Sequence, residues 1–272
     1  MIRVNGMATD VVPATDRGLA YGDGVFRTLA VRAGRAAHWD RQYAKLALDC
    51  RRLGIECPPA DILHADMVGV TRGEADAAVK IIVTRGASER GYRMPRQSRP
   101  TRVVISSPLP AYPGCYASEG IAAYLCEMRL GTQPALAGVK HLNRLENILA
   151  RAEWGDDTYA EGIMRDGNGN VIGGTMTNIF IVEGGRLVTP ELSHCGVAGV
   201  TRDRIFDWCG RERIQCAVET IALDRALVAD EVFLVNSLVG VWPVRSIGES
   251  AVRTGSVAQR ISASLDETHS TR

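Results

Sequence analysis

The chain has 272 residues, 46% of them hydrophobic and 23% charged, with 32 Lys and Arg against 31 Asp and Glu. That apolar mass supplies cores for two modest domains or one large one, and it excludes disorder as the main state. The net charge of +1 gives no global field for gripping nucleic acid or anionic lipid.

The N-terminal run from Met1 to Gly6 lacks the basic-then-apolar layout of a signal peptide. The longest apolar uncharged runs, such as 232–244, fall short of the roughly 18 residues that span a bilayer. Seven cysteines, an odd number without a C-x-x-C pair, read as scattered thiols in a reducing compartment. The expectation is a soluble, cytoplasmic protein that binds no membrane, metal or nucleic acid.

In chain order, residues 40–53 predict a helix with Leu46, Cys50 and Leu53 at helical spacing. Residues 78–84 and 101–106, rich in β-branched side chains, predict strands. Between Ser106 and Gly114 three prolines fall in nine residues, which blocks both helix and central strand. This divides the chain into a small α/β domain at 1–107, a linker at 108–114 and a second domain at 115–272.

In the second domain, strands are expected at 121–126, 162–165, 178–182, 187–189, 215–219, 231–235 and 241–247. Helices are expected at 145–154, 201–213 and 256–265. Asp166–Asn170 and Glu183–Arg186 place glycines between apolar runs, which predicts antiparallel hairpins and disfavours a doubly wound sheet.

Several motifs fail on spacing. Asp166, Asn168 and Asn170 alternate like a calcium loop, but Val171 and Thr177 stand where glycine and glutamate belong, so a turn is the reading. The five histidines show no metal-ligand spacing, and no phosphate-binding glycine fingerprint or G-x-S-x-G occurs. Arg90, Arg93, Arg96, Arg99 and Arg102 recur every third residue; they form either a solvated loop or an anion pocket for a carboxylated substrate.

Lys140 ends the uncharged run 130–139, just before an amphipathic helix with Leu145, Ile148, Leu149 and Ala152. It is either a surface lysine or an amine held in an apolar wall, where desolvation favours the neutral form that attacks an aldehyde. The glycine turn Gly196–Arg202 leads into a helix whose first-turn N–H groups, with Gly199 and the Thr201 hydroxyl, suit a phosphate.

These segments together resemble the fold-type IV pyridoxal-phosphate enzymes, the group of branched-chain and D-amino-acid aminotransferases and aminodeoxychorismate lyases. The resemblance runs through Asp16–Phe26, Lys140–Asn143, Gly174–Phe180, Gly196–Arg202 and Asn236–Ser237. It implies an α+β fold: a small N-terminal α/β domain and a larger cofactor-binding domain with a mostly antiparallel, barrel-like sheet. It also implies a homodimer with pyridoxal 5′-phosphate between the domains.

Carried onto this sequence, it makes Lys140 the Schiff-base lysine and proton shuttle. Gly199, Val200, Thr201 and Ser237 become the phosphate cup, Asn236 a further cofactor contact and Val197 the residue packed on the ring. Two positions depart from the pattern. Gly173 stands where a glutamate would hold the ring nitrogen protonated, leaving that task to another segment or to water. Lys45 stands where an arginine would reach the phosphate, a point charge in place of a fork.

Thr84–Tyr92, with Asp16–Gly24 and Lys140–Glu146, is most similar to the lyase group. The resemblance thus implies conversion of 4-amino-4-deoxychorismate to 4-aminobenzoate and pyruvate, a step of folate biosynthesis, with Tyr21, Arg90 and Tyr92 as substrate contacts. A substrate with two carboxylates suits an arginine-rich mouth better than a branched-chain amino acid would. A D- or branched-chain amino-acid transaminase and a non-enzymatic binding module on the same fold are the alternatives.

Overall fold

The computed structural model describes Met1–Ser270, with side chains as far as Leu265. The chain forms two compact units: Met1–Ala111 together with Val139–Asn143, and Tyr112–Gly138 together with the chain from Arg144 onward. The change of unit at Ala111 falls inside the proline-rich stretch. Lys140, expected in the second domain, instead belongs to the first unit, because residues 140–142 pair with a strand there: Phe26 N–H donates to the Lys140 carbonyl at 2.9 Å and Leu142 N–H to that of Gly24 at 2.9 Å.

In chain order the first unit contains β1 (Ile2–Val4), α1 (Arg17–Tyr21), β2 (Gly24–Arg32), β3 (Arg35–Ala36), α2 (Trp39–Arg52), α3 (Ala60–Val70), β4 (Ala77–Thr84) and β5 (Thr101–Ser107). Its sheet runs β1-β5-β4-β2-β3, antiparallel throughout. Alternation explains the core: Val25, Leu29 and Val31 of β2 and Val79, Ile81 and Val83 of β4 face Leu46 and Cys50 of α2 and Leu63, Met67 and Val70 of α3. The sequence reading had passed over β2 and α3.

The second unit contains α4 (Cys115–Ser118), β6 (Ile121–Leu130), α5 (Leu145–Arg151), β7 (Glu161–Asp166), β8 (Val171–Gly174), β9 (Asn178–Glu183), β10 (Arg186–Pro190) and α6 (Val200–Glu212). After these come β11 (Cys216–Glu219), α7 (Leu223–Val228), β12 (Glu231–Asn236), β13 (Gly240–Ile247), β14 (Ser250–Ala251) and α8 (Val257–Ser270). Its sheet runs β11-β10-β9-β12-β13-β6-β7-β8, with β14 beside β13. Both expected hairpins form: β7 with β8 and β9 with β10 pair antiparallel, and the Asp166 carboxylate accepts the Asn168 and Asn170 N–H groups at 2.9 and 2.8 Å. Three neighbouring pairs, β13–β6, β6–β7 and β10–β11, are parallel.

The path curls, so that Gly174 N–H at the end of β8 meets the Thr177 carbonyl ahead of β9 at 2.8 Å. Val232 and Leu234 of β12 lie in one cluster with Ile179, Ile181 and Trp242, whereas Phe233 and Val235 lie in another with Ile205 and Trp208 of α6 and Ile261 of α8. Burial on both faces is why this strand reads as a continuous apolar run. By contrast α5 buries Ala150 and leaves Leu145, Ile148 and Leu149 exposed, the reverse of the expected apolar face.

The rings of Phe180 and Phe233 stack 5.3 Å apart, both fully buried. Phe233→Ala should cost about 3–5 kcal/mol by leaving a cavity under α6 and α8. A denaturation midpoint matching wild type would contradict this packing.

Candidate functional site

Each unit assembles part of the expected chemistry. In the first, Asp16 caps α1 by accepting the Gly18 N–H at 2.8 Å, and Gly22 closes the helix with φ +65°. A side chain on Gly22 would collide with Asn143, whose amide donates to the Gly22 carbonyl at 3.1 Å. Next to this turn, Asp23 accepts from Arg17 Nε at 2.7 Å and from Arg85 Nε and Nη2 at 2.8 and 3.0 Å. Burial pushes the Asp23 carboxyl up, but hydrogen bonds and charge from Arg85 and Arg17 outweigh it and hold it below its ordinary value.

Arg17 also donates to the Gly91 carbonyl at 2.9 Å, and the Tyr21 hydroxyl accepts the Gly91 N–H at 3.0 Å. These bonds bring the backbone between Arg90 and Tyr92 to Tyr21, whose ring lies 5.4 Å from that of Tyr92. Tyr92 and the Arg90 side chain are exposed. Arg102 does not join them: it pairs with Asp66, and Arg85 is buried on Asp23 and on the carbonyls of Leu53 and Gly54. The arginine stripe is therefore divided between structure and solvent.

Lys140 is half-buried, its Nζ 4.7 Å from the centre of the Phe26 ring; Lys80 Nζ lies 4.9 Å from the same centre. Lys45 is half-buried on α2 one turn before Asp49, and Asp49 bonds both Arg27 and the Lys140 N–H. Asp49 and Arg27 were not singled out from the sequence. The available signal was a charged residue in an alternating apolar strand, which is invisible until that strand is assigned.

In the second unit, Gly199 is the residue before α6, and Val200 and Thr201 open the helix. Thr201 Oγ1 is buried and, among the described residues, has no hydrogen-bond partner. It lies in the first turn, where backbone N–H groups have no acceptor within the helix and the dipole favours an anion. This fits a phosphate. Gly199 is required for another reason: a Cβ there would stand 2.3 Å from Asn178 Oδ1, which accepts the Gly199 N–H at 3.1 Å, while Asn178 Nδ2 donates to the Val197 carbonyl at 2.7 Å. Val197 is half-buried and its segment pairs with Gly138. Asn236 Oδ1 accepts the Leu238 and Val239 N–H groups at 2.8 Å each, shaping the turn that carries half-buried Ser237.

Glu161 was also missed. Fully buried, it accepts the N–H of Gly162, the N–H and hydroxyl of Thr175, the N–H of Met176 and the hydroxyl of Thr177, at 2.5 to 3.1 Å. Burial pushes its carboxyl up against the pull of these donors. It fixes the loop ahead of Asn178, with its oxygens committed. At Gly173 a Cβ would lie 2.8 Å from the Thr177 carbonyl, so β8 meets this loop closely where the resemblance expects a glutamate.

The model of the amino-transferase class IV family matches residues 24–247. The aminodeoxychorismate lyase of Vibrio harveyi is 34% identical over 247 residues, covering 91% of each chain. A putative branched-chain-amino-acid aminotransferase of Methanocaldococcus jannaschii is 29% identical, over 95% of this chain and 91% of that one. Among solved structures, the 4-amino-4-deoxychorismate lyase of Pseudomonas aeruginosa superposes with a TM-score of 0.94 at 40% identity, covering 98% of both chains.

Asp23→Asn should destabilise the protein by about 3 kcal/mol at neutral pH, because Arg17 and Arg85 lose a buried counter-charge. Since the folded carboxyl titrates below the ordinary 3.8, the wild-type advantage is full above that value and fades as pH falls through the folded one. Denaturation curves at a series of pH values check this; a pH-independent difference would contradict it.

Proposed function

The chain belongs to the amino-transferase class IV family, and on that premise we propose that it is a pyridoxal-phosphate-dependent carbon–oxygen lyase converting 4-amino-4-deoxychorismate to 4-aminobenzoate and pyruvate. The observation that carries the reading is the likeness across nearly the whole chain to lyases of that substrate, at 34% and 40% identity, with Lys140 held beside Phe26.

The residues fit the cofactor. By the family resemblance Val200 and Thr201, with the turn at Ser237 shaped by Asn236, would hold its phosphate, and Lys45 would add a positive charge; Gly199 gives Asn178 room to fix the start of α6. Val197 would pack on the ring, and Lys140 would bind the aldehyde end. When bound, pyridoxal phosphate supplies an aldehyde that takes up amines and a ring that withdraws electrons. The Lys140 amine would take the proton from the amine-bearing carbon of the substrate and return one to the departing enolpyruvyl group, which leaves as pyruvate.

Formation of an aromatic product drives this elimination. Gly173 leaves β8 without the expected carboxylate, an absence that an elimination, which asks less of the ring as an electron sink, tolerates. Arg90 and Tyr92, which flank the Gly91 backbone that Arg17 and Tyr21 hold, contact the carboxylated substrate; Tyr21 lines the same mouth.

The enzyme pairs with a second copy of itself. Supporting this, Leu145, Ile148 and Leu149 leave an apolar face exposed on α5, which an isolated chain would bury. Its place is the cytoplasm, a reducing compartment that suits seven free thiols. Among the described residues no helix is long and apolar enough to cross a membrane.

Incubating the purified protein, loaded with pyridoxal phosphate, with aminodeoxychorismate should release 4-aminobenzoate and pyruvate in equal amounts. Glutamate formed instead from an amino donor and 2-oxoglutarate would contradict the lyase reading. Arg90→Ala should raise KM for this substrate about tenfold or more, the loss of a charge-assisted contact, and leave cofactor uptake intact; an unchanged KM removes Arg90 from the mouth.

A further inference from the structure

The inner face of β2 presents Val25, Arg27, Leu29 and Val31 in alternation, all buried. Arg27 breaks this apolar row, and its partner is Asp49 of α2; each residue is 3% exposed. Burying both charges strips them of water, so such a pair gives little stability over apolar side chains of similar volume. Its geometry supplies a different purpose. The Lys140 carbonyl faces β2, where it accepts the Phe26 N–H, and the N–H of Lys140 is taken by Asp49 Oδ2 at 3.1 Å. Arg27 Nη2 bonds the same carboxylate oxygen and reaches the Lys45 carbonyl at 3.4 Å, tying the pair to α2.

We propose that Asp49, held by Arg27, is a positioning residue for Lys140: it anchors the backbone N–H of the amine-bearing residue, whose carbonyl β2 holds. Just before this anchor, Val139 is fully buried in the core, and beyond it His141 bridges to Val25. Lys140 is thus held through both its carbonyl and its N–H. A reacting group displaced by about 1 Å can lose on the order of a hundredfold in rate. The inference rests on the reading of Lys140 as the cofactor lysine.

Two double variants separate the hydrogen-bond acceptor from the ion pair. R27M/D49L and R27M/D49N remove both charges together, so neither strands a buried charge. Only the asparagine keeps an oxygen for the Lys140 N–H. In protein stripped of cofactor, hydrogen exchange in the peptide covering 139–143 should quicken about tenfold in R27M/D49L and stay near wild type in R27M/D49N. In the loaded enzyme, R27M/D49L should lower kcat with little change in KM and shift the pH titration of the visible absorption band, and R27M/D49N should restore both.

Equal exchange in the two variants would overturn the proposal. Should R27M/D49L fail to fold, wild type alone still decides: an unprotected Lys140 amide also overturns it. Because exchange is read without cofactor, a difference in exchange accompanied by no borohydride label on Lys140 would instead overturn the cofactor reading beneath it.

Discussion

The pairing of residues 140–142 with Gly24–Phe26 decides what Lys140 can do. A short segment laid along β2 has its direction set by two backbone hydrogen bonds, and its lysine side chain then stands beside the Phe26 ring. The turn ahead of β2 depends on the same pairing. Asn143 fits only against a glycine at position 22, and the helix that Gly22 ends is held through Arg17 to Asp23 and the backbone near Tyr92. Lys140 and the backbone at Gly91 thus share one support, built from the block Asp16–Phe26.

In the second unit, polar side chains do the corresponding work. Glu161 gathers Thr175, Met176 and Thr177; the loop they form leads to Asn178; Asn178 grips Val197 and Gly199; and Gly199 starts α6. These bonds are buried or partly buried, so an unmade partner would carry a cost. The outcome is a helix start held from behind, with the buried Thr201 hydroxyl without a hydrogen-bond partner among the described residues. Such pre-placed donors need little rearrangement when an anion arrives.

Much of this was readable beforehand because the signals were local. Glycine-bearing hairpins announced β7–β8 and β9–β10, and apolar runs announced β9 and β12. Strand β2 was missed because Arg27 interrupts its apolar face, and α5 was misjudged because its apolar residues lie outward. Glu161 and Asp49 could not be placed by spacing, since the loop that Glu161 holds lies 14 to 16 residues on and the partners of Asp49 lie 22 and 91 residues away. Gly199 was found, but for ligand access; the crowding that requires it comes from Asn178.

The proposed chemistry requires one amine, that of Lys140, to join the cofactor covalently. Borohydride reduction of the yellow loaded protein, followed by digestion and peptide mapping, tests it most directly. The account predicts a pyridoxyl group on Lys140 in near-stoichiometric yield. A label on another lysine, or none on any, would contradict it.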